Sequence, residues 1–138
     1  MTLLKHILLI LLPCYSYSQG EIDHIKNQSY MTNKADCDDP DGDNLNSRIC
    51  ANLRFQKSDS LLVIVYKKLL SEQATDSARK YIIDLQKEWR VFRDKHCSII
   101  WSSYKESTGH VQARAYLDCL TELTNHRRKE LERLLDGQ

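Results

Sequence analysis

The cysteines are the first residues whose type and spacing suggest chemistry. The chain of 138 residues holds five: Cys14, Cys37, Cys50, Cys97 and Cys119. A thiolate serves as a nucleophile or metal ligand, whereas paired thiols in an oxidising compartment become crosslinks. Asp39-Pro40-Asp41-Gly42-Asp43-Asn44 is the strongest turn signal in the chain and lies between Cys37 and Cys50. A weaker turn, Ser107-Thr108-Gly109, lies between Cys97 and Cys119, each eleven residues from Thr108. Two antiparallel helices meeting at that turn would bring those cysteines to the same height. With Cys14 set aside as part of an expected N-terminal leader, four cysteines remain and allow three pairings. The turns favour Cys37–Cys50 with Cys97–Cys119, each closing a short loop worth about 3 kcal/mol in the chain-entropy model.

Two metal readings compete with the bridges. His96-Cys97 with His110 and Cys119 offers zinc-type ligands but lacks a tight Cys-x-x-Cys knuckle. The acidic turn imitates a calcium loop if Gly42 is its sixth residue, which sets Cys37, Asp39 and Asp41 at positions one, three and five. Arg48 then stands twelfth, where an EF-hand needs an oxygen ligand, as it also does at the first position. A capped turn leading into a helix is the better account. The expectation is no metal and no cofactor.

Catalytic constellations are missing as well. The chain has no Gly-x-Ser-x-Gly, His-Glu-x-x-His, P-loop or GxGxxG. Its many carboxylates sit among Lys and Arg on helix faces. No catalytic residue is assigned, and the chain is expected not to be an enzyme.

Several polar residues fall on apolar stripes. Arg127 interrupts the last stripe, as a polar site between helices or as a salt bridge fixing their register, the second being preferred. Arg93-Asp94 follows Trp89, so the Arg stem is expected to cover the indole while its head pairs with a carboxylate. Asp59 suits the cap of a helix carrying Tyr66. Between Ser98 and His110, Trp101 and Tyr104 are either binding anchors at a hairpin tip or an extension of the core. Asp39, Asp41, Asp43, Trp101 and Tyr104 are therefore the partner-binding candidates.

The elements that must position these residues are helices. From Leu45 the apolar positions run Ile49, Leu53, Leu62, Tyr66, Leu69 and Leu70, mostly at three- and four-residue steps, with Asp43 or Asn44 as cap. The polar stretch Gln56–Ser60 is a potential break. Leu61–Tyr66 has strand character but no second strand to pair with. Thr75-Asp76-Ser77 opens a second helix whose stripe is Tyr81, Ile82, Leu85, Trp89, Phe92 and His96, continued by Ile99 and Ile100 to about Tyr104. A third begins near Val111, with Ala113, Tyr116, Leu117, Leu120, Leu123, Arg127, Leu131, Leu134 and Leu135, and stops at Gly137. The expected fold is all-α, a small bundle of three to four helices stapled by two disulfides.

Before these helices comes a different region. Leu3–Leu12 is an apolar run with Lys5 and His6 inside it, then Pro13 and Ser16-Tyr17-Ser18. It is too short to span a bilayer and fits a signal peptide cleaved after Ser18. Cys14 raises lipid attachment, although Pro13 is a poor residue to precede a lipidated cysteine. Residues 19–36 are polar and weakly patterned, and include the sequon Asn27-Gln28-Ser29. The expected organisation is 1–18 leader, 19–36 polar segment and 37–136 helical domain. Loss of the leader takes the formal charge from +1 to zero. A neutral chain has no broad field for nucleic acid or anionic membrane, and Arg127-Arg128-Lys129 is balanced by Glu130 and Glu132.

The order Ile49-Cys50, Tyr66, Gln86-x-x-Trp89-x-x-x-Arg93-Asp94-x-x-Cys97, then Cys119-Leu120, Thr124, Arg127 and Glu130-Leu131 resembles the lysozyme-inhibitor LprI-like family of small exported bacterial helical domains. The resemblance spans roughly residues 37–135. It implies an exported, periplasmic or secreted, disulfide-bonded helical protein with Tyr66, Trp89, Arg93, Asp94 and Arg127 as motif residues. For the family's namesake it implies binding and inhibition of lysozyme, so a protein partner is expected. This chain departs from the family pattern in its Asp-rich turn and in lacking a glycine-rich stretch over 98–110. An acidic turn suits a cationic lysozyme. The departures equally suit an envelope interaction, immunity or accessory protein with an unrelated partner.

Overall fold

The computed structural model describes residues 35, 37–38, 44–107 and 109–137. The leader, the sequon and the Asp39–Asp43 turn lie outside them. The described residues form three long helices, α1 (Asn44–Glu72), α2 (Asp76–Ser103) and α3 (Gly109–Asp136). No strand occurs among the described residues, and Leu61–Tyr66 is helical.

The start of α2 is built by local chemistry. Thr75 is extended and its hydroxyl accepts from the Ala78 amide at 3.2 Å, satisfying one of the free amides of the first turn. Asp76 adds a negative charge beside the positive end of the helix dipole and pairs with Arg79 at 2.7 Å. Arg79 also donates to the Gln73 carbonyl, tying α2 back to the end of α1. At its other end α2 is capped by the Tyr104 amide bonding the Trp101 carbonyl.

Short connections make successive helices antiparallel, so α1 and α3 run the same way. Ion and hydrogen-bond pairs record it: Arg48 meets His110 and Arg54 meets Asp118, at nearly constant offset. α3 packs closely on both neighbours. Fully buried Ala51 and Ala113 permit that approach between α1 and α3. Both expected disulfides are present, Cys37–Cys50 and Cys97–Cys119, with Cα separations of 5.5 and 5.8 Å. Both crosslinks staple the same end of the bundle.

The core has two apolar clusters. One, at the crosslinked end, joins Ala51, Phe55, Cys97, Ala113, Tyr116, Leu117 and Leu120. The other joins Leu62, Leu69 and Leu131, with Tyr66, Ile82, Trp89 and Leu135 packed against it.

Several expectations are corrected. The polar stretch 56–60 does not break α1, because Ser58 faces inward as a small buried residue. Asp59 is therefore mid-helix and caps nothing. In α1 the buried positions near the start are Cys50, Ala51, Asn52 and Phe55, while Leu45, Ile49 and Leu53 are only half-buried. In α2, Tyr81, Leu85, Phe92 and His96 face solvent, and the buried positions are Gln86, Arg93 and Cys97. The reason is that α2 is apolar on more than one side. The bond from Cys97 to Cys119 chooses which side turns in, and Phe92 lies about 140° around the helix from Cys97. α3 starts at Gly109, close to the expected Val111, but buries Thr124 while Leu134 stays exposed.

Candidate functional site

Between the two apolar clusters lies a polar layer centred on Arg93. Its side chain is buried, 6% exposed, and needs partners for its charge. Nη1 donates to Asp59 Oδ1 of α1 at 3.1 Å and to Thr124 Oγ1 of α3 at 3.2 Å, and Nε donates to Asp94 at 3.0 Å. The guanidinium lies 5.4 Å from the Phe55 ring centre and 5.2 Å from that of Trp89. One side chain therefore links all three helices.

Arg127 adds a second, more exposed arm. It donates from Nε to the buried Gln86 at 3.1 Å and pairs with Glu130 at 3.1 Å, with its guanidinium 5.9 Å from the Trp89 ring. The motif residues Trp89, Arg93, Asp94 and Arg127 thus meet in one layer, with Tyr66 packed in the cluster beside it. Sequence reasoning expected the Arg stem on the indole and the head on a carboxylate; the head does pair with carboxylates, and it is the guanidinium itself that lies over the indole. It did not identify Asp59 as the carboxylate across the interface or Thr124 as the third point.

Chemically this layer is a clamp. Arg93 is already bonded to two carboxylates and a hydroxyl, so a substrate would have to displace them. No nucleophile stands against a base in it. The charges set the register of α2 against its neighbours, and the register reading of Arg127 fits the same geometry.

A concave surface lies at the crosslinked end. An open groove of roughly 570 Å³ runs between α2 and α3. His96, Ile100 and Tyr104 form one wall, His110, Arg114 and Glu122 the other, with Cys119 in its lining. Asn44, the first residue of α1, also lines it. Its rim is held by Asp118, which accepts from Arg54 at 2.8 Å and pairs with Arg114 at 3.6 Å. Arg48 Nη1 donates to His110 Nδ1 at 3.3 Å, so that ring nitrogen is the acceptor.

The two aromatic candidates separate here. Trp101 is half-buried, stands edge-on to Tyr116 with centroids 6.1 Å apart, and its carbonyl accepts from Gln112 at 2.8 Å. It is packed into the first cluster. Tyr104 is exposed and lines the groove. Asp39, Asp41 and Asp43 lie outside the described residues, but both flanks of their turn are placed at this end. Cys37 is bonded to Cys50, and Asn44 lines the groove. Among the described residues no group of three or more His, Cys, Asp or Glu could hold a metal ion. Cys97 and Cys119, two of the ligands in the zinc reading, are joined to each other. No helix among the described residues is long and apolar enough to cross a membrane.

Comparison with known proteins places the chain in a family. The model of the family described as "Lysozyme inhibitor LprI" matches residues 35–131, and the chain belongs to that family. No curated protein and no solved structure matches.

Proposed function

We propose that this chain is an exported lysozyme-inhibitor-like protein that binds a muramidase with the crosslinked end of its bundle and occludes its cleft. The family membership carries the reading, since that family is described by inhibition of lysozyme. Two disulfides suit an oxidising compartment outside the cytosol.

The geometry supports it in one respect above others. Tyr104, one of the sequence-derived contacts, gathers with Cys37 and Asn44, which flank the acidic turn, at the end that both crosslinks rigidify. A stapled surface loses little conformational freedom on binding, which favours an inhibitor. In this reading the Asp39, Asp41 and Asp43 carboxylates steer the chain to a cationic enzyme, and Tyr104 supplies the aromatic contact. Trp101 supports that end from beneath.

The test is lysis of a cell-wall suspension by lysozyme with increasing amounts of the oxidised protein. Slowing that saturates and weakens with added salt supports the proposal. Full lysis at excess protein removes it, leaving an envelope partner other than lysozyme.

A further inference from the structure

The second helix carries more apolar surface than the bundle covers. Tyr81, Leu85, Phe92 and Ile99 recur along one side of α2 and all are exposed, Tyr81, Phe92 and Ile99 by 66, 55 and 64%. Glu88 falls between Leu85 and Phe92, and Lys95 between Phe92 and Ile99, completing alternating steps of four and three. That is the spacing of a helix-pairing seam. Glu88 and Lys95 are exposed, and neither side chain has an ion-pair partner among the described residues.

We infer that this face of α2 takes a second copy of the chain, the two helices lying antiparallel about a two-fold axis at Phe92. Such an axis opposes each residue before Phe92 to one a similar number of steps after it in the copy. Phe92 then meets the copy's Phe92, and Leu85 meets the copy's Ile99. Glu88, four residues before the axis, meets the copy's Lys95, three residues after it. Both project to the same side of the row, since their helical angles differ by only about 20°. The seam therefore complements itself in charge as well as in apolar contact, twice per dimer. A parallel pairing would set Glu88 against Glu88 and Lys95 against Lys95. The row is about 27 Å long, which puts the interface at the small end of the specific range, below about 1,200 Å² in total. The result is a reversible dimer rather than an obligate one. It does not rest on the lysozyme reading.

The experiment is sedimentation equilibrium of the full exported, oxidised chain across the micromolar range, with circular dichroism as a check of folding. The wild type is expected to show a monomer–dimer equilibrium. Phe92→Glu should weaken it ~10-fold or more and Glu88→Lys ~3- to 10-fold, while Glu88→Lys with Lys95→Glu should return it to within ~3-fold of wild type. Leu134→Glu, exposed on α3, should leave it unchanged. A monomer at every concentration overturns the inference. So does a dimer indifferent to Phe92→Glu and the charge reversals, or one that Leu134→Glu weakens as much as Phe92→Glu does.

Discussion

Arg93 and Asp59, thirty-four residues apart in the chain, are joined 3.1 Å apart across the interface of α2 and α1. Arg93 is buried while Asp59 keeps about a third of its side chain in solvent, so the two partners are not equivalent. Removing the buried charge also strands a hydroxyl and unstacks two rings. Arg93→Leu is expected to lower stability by about 3 kcal/mol, with Asp59→Asn costing about 1 kcal/mol because Asp94 and Thr124 remain. Urea unfolding of both variants and their double mutant checks this. Similar costs for the two, or strict additivity, would contradict the clamp.

Much of this fold was legible in the chain, and the exceptions share a cause. The disulfide pairing followed from turns at Asp39–Asp43 and Ser107–Gly109, because short loops are local. The Thr75 cap was legible for the same reason. The inward side of α2 was not. Its apolar residues occupy more than one face, so periodicity alone chose Tyr81, Leu85 and Phe92, whereas the Cys97 bond and the needs of Arg93 turned in Gln86, Arg93 and Cys97. Asp59 was misassigned as a cap because its partner lies on another helix, and no local pattern announces it. Trp101 and Tyr104 are three residues apart, yet only Tyr104 reaches solvent freely. The difference is set by where Tyr116 sits on α3.

The orientation of α2 makes a direct prediction. Trp89→Ala, on the side of α2 that packs against the second cluster, should cost about 2–4 kcal/mol. Phe92→Ala, on the exposed side, should cost the monomer under about 0.5 kcal/mol. Thermal or urea unfolding at low protein concentration measures both. A loss at Phe92 as large as that at Trp89 would restore the orientation that periodicity suggests.

Each bridge should contribute independently. Replacing Cys97 and Cys119 together by Ala should lower stability by about 3 kcal/mol, and the same change at Cys37 and Cys50 by a similar amount. Unfolding midpoints of the two double variants test this, as does a thiol titration of the freshly isolated protein, which should find no reactive thiol at these four positions.

Tyr104 is the exposed residue of the groove most suited to anchor a partner. Tyr104→Ala is expected to weaken lysozyme inhibition ~10-fold or more with an unchanged unfolding midpoint, since the side chain is outside both clusters. Trp101→Ala should do the reverse in order, lowering the midpoint first. Inhibition curves run beside unfolding curves separate the two roles.

The most direct measurement is a calorimetric titration of the oxidised protein into lysozyme, with the residual lytic rate read on the same mixtures. The account predicts saturable heat with a defined stoichiometry and a lytic rate that falls in step with occupancy. No heat of binding and an undiminished rate at excess protein would contradict it.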